Sequence, residues 1–293
     1  MTAVRLVVPS QDECGEASLW DPKAERLYWL DLYRPTLHIL DPATREHAAY
    51  PVDGPDLLAC LLHEPGAPLP LLVSRNAIGR MTIAGDRVSF RASRDLDIDT
   101  PREAVNDGKT HPSGTVWLGT ADTEETAPLG RLEAFRGGKP PVLVDRGFVV
   151  SNGPAFSPDG RWAYFSDSAT RRVLRYPVAA DGLPDGAAET LAVFSEEEGN
   201  PDGMTVDTEG LLWVAMWDGA CVRRLDPAGR TIAVIELPVP RATSCAFGGA
   251  DFATLFITTA ATGLDAAARE AGAGGLFVAE PGVRGLPEPV ARP

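Results

Sequence analysis

The stretch Val150-Ser151-Asn152-Gly153-Pro154-Ala155-Phe156-Ser157-Pro158-Asp159-Gly160, followed by Trp162-Ala163-Tyr164-Phe165-Ser166-Asp167-Ser168, reads as one β-hairpin. An apolar strand opens on the polar amide of Asn152, a Ser-Pro-Asp-Gly turn reverses the chain, and an aromatic-rich strand returns to an acidic end. The same grammar recurs along the chain with a different opening residue each time, so this hairpin decides the fold.

Upstream, Asn106-Asp107-Gly108-Lys109 opens a unit that turns at Pro112-Ser113-Gly114 and returns as Val116-Trp117-Leu118-Gly119-Thr120. An earlier unit opens at Cys14-Gly15-Glu16 and returns as Arg26-Leu27-Tyr28-Trp29-Leu30-Asp31, and a weaker copy begins near Leu57. Downstream, Pro201-Asp202-Gly203-Met204 and Thr243-Ser244-Cys245-Ala246-Phe247-Gly248-Gly249 open two more. The six openings lie roughly 40–50 residues apart, the period of propeller blades built from four short strands. Helical periodicity is nearly absent, and residues 264–273 read as a loop with one turn. The expectation is an all-β chain, one six-bladed β-propeller over residues 1–293. Its simplest closure has the N-terminal strand, Val4 to Val8, join the last blade beside residues 275–279, which protects both terminal edges.

With 44% hydrophobic and 23% charged residues the composition is globular and excludes a disordered chain. Twenty-seven Lys and Arg against 41 Asp and Glu leave a formal charge of −14, which argues against nucleic acid or an anionic membrane as partner. The N-terminus lacks a signal-peptide pattern and no segment has the apolar length to span a bilayer, so a cytoplasmic location is expected. Cys14, Cys60, Cys221 and Cys245 are far apart and form no CxxC, which favours reduced, mostly buried thiols.

In a propeller the residues that open the inner strands converge at one end of the axial channel. Glu16, Asn106, Asn152 and Asp202 occupy equivalent openings in blades one, three, four and five. Taken singly, Asn-Asp-Gly and Pro-Asp-Gly are turn signals and Glu16 is a solvated rim carboxylate. Their common repeat position makes them a set: two carboxylates and two amides are oxygen donors suited to Ca²⁺, Mg²⁺ or Mn²⁺, and to Zn²⁺ with water completing the shell. The turns at Ser157-Pro158-Asp159-Gly160 and Asp226-Pro227-Ala228-Gly229 remain plain turns. His111 reads as a surface or structural residue, Lys109 as the partner of an acid, and the aromatics of the return strands as core more than as sugar platforms.

These motifs, together with Tyr164-Phe165-Ser166-Asp167-Ser168 and Leu212-Trp213-Val214-Ala215, resemble the senescence marker protein/gluconolactonase/regucalcin-like family from about Cys14 to Pro287. The resemblance implies a six-bladed propeller that binds one divalent metal ion and hydrolyses small-molecule sugar lactones. Position by position it implies Glu16, Asn152 and Asp202 as metal ligands, with Asp202 also the general base that takes a proton from the attacking water, and Asn106 as a substrate or additional metal contact. It further implies that Glu125 contacts sugar hydroxyls. The family's substrate-binding arginine, two residues before Asn106, is replaced by Ala104, which leaves Arg102 as the nearest candidate for that contact, and His111 stands where the family has an aspartate. A nucleophilic-serine mechanism is disfavoured because no Gly-x-Ser-x-Gly elbow is present. Three other readings stay open: a calcium-binding regulatory protein, an interaction scaffold, and an esterase or phosphotriesterase acting at the same metal site.

Overall fold

A computed structural model describes residues 2–64, 66–98 and 101–293. Six four-stranded antiparallel blades surround an axis, each beginning with an innermost strand: Gly15–Asp21, Leu58–Leu62, Glu103–Thr110, Ser151–Phe156, Asn200–Val206 and Ala242–Gly248. These strands are buried against the innermost strands of the neighbouring blades, which is why they read as nearly continuous small and apolar runs without alternation.

The second strands supply much of the packing between blades. Trp29, Trp117 and Trp213, on Arg26–Asp31, Val116–Asp122 and Leu212–Trp217, are fully buried. Each indole N–H is satisfied, by Asp12 Oδ2 at 2.9 Å, the Gly182 carbonyl at 2.7 Å and Asp207 Oδ2 at 2.9 Å. Burying a large aromatic contributes about 2–3 kcal/mol each, so these are core residues as expected.

The outermost strands His47–Asp53, Arg87–Asp95, Val142–Phe148, Glu189–Val193 and Thr231–Glu236 are largely exposed. They carry no apolar pattern strong enough to locate them from sequence. In blade six the outer strand is the N-terminal Val4–Val8, antiparallel to Leu276–Ala279 with Leu6 opposite Phe277, so the expected closure is present. Blades one and two also meet at their outer edges, where Val52 and Asp53 pair in parallel with Val88 and Ser89. Residues 264–273 contain one short helix, Ala266–Glu270, capped by Asp265, whose side chain accepts from the Ala268 amide at 2.9 Å.

After blade six the chain crosses the far end of the channel. The Ala291 amide donates to the His63 carbonyl at 2.8 Å, the Arg292 amide to the Gly114 carbonyl at 2.9 Å, and Glu288 pairs with Lys109 at 3.3 Å. Lys109 is thus paired with an acid, as expected, and its ammonium also donates to the Met204 carbonyl at 2.8 Å. Among the described residues no helix is long and apolar enough to cross a membrane. All four cysteines are free and buried.

Candidate functional site

On every innermost strand the pairing with the second strand slips once. The slips fall between Glu16 and Leu19, Leu58 and Cys60, Val105 and Asp107, Asn152 and Ala155, Pro201 and Met204, and Ala242 and Cys245. A β-bulge breaks the alternation of side chains and re-aims the residues beside it. Glu16, Asn106, Asn152 and Asp202 lie at four of these bulges, and all four line a single cavity of about 570 Å³ at the channel mouth.

Turn chemistry therefore does not explain the Asn-Gly and Asp-Gly pairs, which sit inside strands. Gly153 follows Asn152 at φ +81°, a left-handed conformation that the bulge requires. Gly203 follows Asp202 where a Cβ would stand 2.8 Å from the Thr243 carbonyl of the next blade. In blade one the corresponding residue is Ala17, held at φ +58° with its amide donating to Glu16 Oε2 at 2.7 Å.

A chain of hydrogen bonds sets the site across three blades. Asn106 Nδ2 donates to Asn152 Oδ1 at 2.9 Å and to the Ser151 carbonyl at 2.8 Å. Asn152 Nδ2 donates to Ser168 Oγ at 3.0 Å, and Ser168 in turn donates to the Pro201 carbonyl at 2.6 Å, one residue before Asp202. The network fixes which end of the Asn152 amide carries oxygen and leaves that oxygen a second lone pair.

Glu16, Asn152 and Asp202 are only 6–7% exposed. Burial, followed by the charge of Asp107, pushes the Glu16 carboxyl up to about 8. Asp202 is pushed well above the carboxylate range by burial and then by the charges of Glu16 and Asp107. Asp107, buried beneath them, is raised to about 7 by burial, although the Gly108 and Gly153 amides donate to it at 2.7 and 3.0 Å. Lys109, whose charge opposes the rise at Glu16 and Asp107, is hydrogen-bonded and ion-paired elsewhere, to Met204 and Glu288. Buried carboxylates that raise one another, with few donors to satisfy them, are stabilised as anions by a cation. The donor set facing the cavity, two carboxylates and one amide oxygen, fits a hard divalent ion. Among the described residues no three His, Cys, Asp or Glu side chains converge to hold one by themselves, so an ion at this site would also need the amide oxygen of Asn152.

Glu125 lines the same cavity from an exposed loop. That loop is built on Asp122, which accepts from the amides of Thr126 at 3.0 Å and Ala127 at 2.8 Å. Arg102 is not on the cavity wall: its guanidinium grips the buried Asp122 carboxylate at 2.7 and 3.2 Å and Thr126 at 3.1 Å. The structure thus does not bring Arg102, expected as a substrate contact, together with the other site residues, because the carboxylate that organises the Glu125 loop holds it. His111 is buried, not at the surface; its Nε2–H donates to the Gly160 carbonyl at 2.8 Å and Nδ1 accepts from the Ser113 amide at 3.0 Å, a structural arrangement.

Several wall residues have no sequence signal of their own. Tyr33 and Trp217 line the cavity, unlike the aromatics buried between blades, and Arg75 reaches it from blade two. Tyr33 follows a second strand and Trp217 ends one, so both were indistinguishable from core aromatics. Asp107 belongs to the Asn-Asp-Gly-Lys motif, yet its burial under the site depends on the strand's position in the channel.

Residues 14–261 match the family described as SMP-30/Gluconolactonase/LRE-like region. A pentonolactonase of Haloferax volcanii is 33% identical over 98% of this chain and 97% of its own length. A 6-deoxy-6-sulfogluconolactonase of Pseudomonas putida is 34% identical over 87% of the chain and 86% of its own length. The crystal structure of a calcium-binding protein, regucalcin, from Agrobacterium tumefaciens superposes with a TM-score of 0.91 at 29% identity, covering 100% of this chain and 98% of that one.

Proposed function

The chain belongs to the SMP-30/gluconolactonase/LRE-like family, and from that premise we propose that it is a divalent-metal-dependent hydrolase opening sugar lactones to aldonic acids. Glu16, Asn152 and Asp202 would hold one ion, Ca²⁺, Zn²⁺, Mn²⁺ or Mg²⁺. An ion bound there would supply Lewis acidity to the ester carbonyl and would make a neighbouring water easier to deprotonate.

The remaining work belongs to side chains of this protein. Asp202 accepts the proton of the attacking water; burial beside Glu16 and Asp107 raises its carboxyl in the absence of an ion, and a divalent cation beside it would offset that rise and keep it ionised and able to accept. Asn106 holds the Asn152 amide in the orientation that offers oxygen to the ion. Glu125 accepts hydrogen bonds from substrate hydroxyls at the rim, and Tyr33 and Trp217 supply aromatic wall against which sugar carbons would pack. The cavity volume of about 570 Å³ lies within the range of roughly 300–1,000 Å³ found for small-molecule sites.

The observation that carries this reading is that Glu16, Asn152 and Asp202, distant along the chain, form the wall of one polar cavity at the channel mouth. It is tested by stripping the protein with a chelator, restoring each of the four ions separately, and following acid release from pentono- and hexonolactones. Restored turnover with wild type and none with Asp202→Ala is expected. Turnover unaffected by chelation, or retained in Asp202→Ala, refutes it; an organophosphate in the same panel tests whether the site favours other esters.

A further inference from the structure

We propose that Arg75 is the specificity-determining residue that receives the hydroxyl groups of the substrate remote from the ester, so that the cavity selects neutral, polyhydroxylated lactones over unsubstituted or anionic ones. This rests on the lactonase reading and deepens it.

The cavity has a deep part and a rim. Glu16, Asn152 and Asp202 are nearly buried, whereas Tyr33 and Glu125 are exposed. An ester reacting at the deep end therefore leaves the hydroxylated end of a sugar lactone at the rim. Among the described residues Arg75 is the one Lys or Arg of the cavity wall. Its Nη1 donates to the Pro101 carbonyl at 3.3 Å, and the same carbonyl accepts from Thr123 Oγ1 at 3.3 Å. The guanidinium is consequently linked through the Pro101 carbonyl to the start of the loop that carries Glu125, and the same cavity wall holds both a donor and an acceptor.

The guanidinium also has capacity to spare. It has five N–H groups, of which three are engaged, by Pro101 and by the two Asp56 oxygens at 3.2 Å each. All three contacts are long for hydrogen bonds of a cation. The Arg75 side chain is 22% exposed and Asp56 74%, so Asp56 is a solvent-facing partner that holds the guanidinium without burying it. Paired with Asp56 the guanidinium is locally neutralised. With Glu125 nearby and a chain charge of −14, an anionic substituent gains little here, while a neutral hydroxyl finds both a donor and an acceptor.

The backbone of Arg75 is held independently of its side chain. Its amide donates to the Leu57 carbonyl at 3.0 Å and its carbonyl accepts from the Val105 amide at 2.8 Å, so truncating the side chain leaves the wall standing.

The test compares wild type, Arg75→Gln and Arg75→Lys on three probes: a neutral pentono- or hexonolactone, unsubstituted γ-butyrolactone, and a sugar lactone bearing a carboxylate. Loss of one or two hydrogen bonds to hydroxyls lowers preference about tenfold. The expected result is therefore an about tenfold fall, in Arg75→Gln, in the ratio of kcat/KM for the hydroxylated over the unsubstituted lactone, carried by KM, with Arg75→Lys recovering part of it. Equal losses on both neutral lactones, or no change in the ratio, overturn the inference while wild-type lactonase activity stands. A larger loss on the carboxylate-bearing lactone than on the neutral one also overturns it, by assigning Arg75 to an anion. A wild-type protein that opens none of the probes removes the lactonase reading and this inference together.

Discussion

Glu16→Gln should make the metal-free protein more stable at pH 8 while destroying its activity. Glu16 lies 7% exposed beside Asp107 and Asp202. Its carboxyl, ordinarily near 4.5, is pushed to about 8. The sign follows from which state binds the proton. Below pH 4.5 folded and unfolded chains both carry it and no penalty arises. Between 4.5 and about 8 the unfolded chain ionises and the folded one does not, so stability falls as pH rises. At about 1.4 kcal/mol per pH unit the loss approaches about 5 kcal/mol as a ceiling, and sharing of the strain with Asp107 and Asp202 brings it to the order of a few kcal/mol. Glutamine keeps the shape and can still accept from Ala17, yet has no charge to bury. Melting in chelator should therefore show wild type losing stability from pH 5 to pH 8. Glu16→Gln should lose less and end higher by roughly 2–4 °C for each kcal/mol relieved. Adding the divalent ion should raise the wild-type midpoint at pH 8, by mass action on the folded state, and leave the variant unmoved. A wild-type midpoint independent of pH in chelator, or a variant melting below wild type at pH 8, would refute the reasoning.

Asn106→Ala should free the Asn152 amide to turn, weakening ion binding about 10–100-fold as loss of an outer-shell partner does, measured by calorimetric titration. Asp122→Asn weakens the grip of Arg102 and the Thr126 and Ala127 amides on the loop; it should raise KM for hydroxylated lactones more than it lowers kcat, read from steady-state kinetics. Lys109→Met leaves Glu288 and Asp107 without their cation and should cost about 3–5 kcal/mol in denaturant unfolding, a loss that adding Glu288→Gln partly reverses.

Local sequence determined the number of blades, their order and their inner strands. Each inner hairpin is a short-range object: an apolar run, a turn such as Ser157–Gly160 in which the Gly160 amide bonds the Ser157 carbonyl at 2.9 Å, and an aromatic return. It also marked Glu16, Asn106, Asn152 and Asp202, because the repeat places them in register. The bulges that turn these residues into one cavity were not legible there. Asn152-Gly153 and Asp202-Gly203 have the composition of turns, and only the packing of neighbouring inner strands, with Thr243 against Gly203, makes them mid-strand features. The outer strands are not legible in the sequence because half-solvated sheet edges carry little apolar pattern. Arg75 reaches the cavity from blade two, which carries none of the motif residues; Tyr33 and Trp217 reach it from the ends of the strands that pair with those of Glu16 and Asp202, and Arg102 is held by Asp122. Which side chains share a cavity is settled by contacts between distant blades, and those follow from closure of the ring, not from any one repeat.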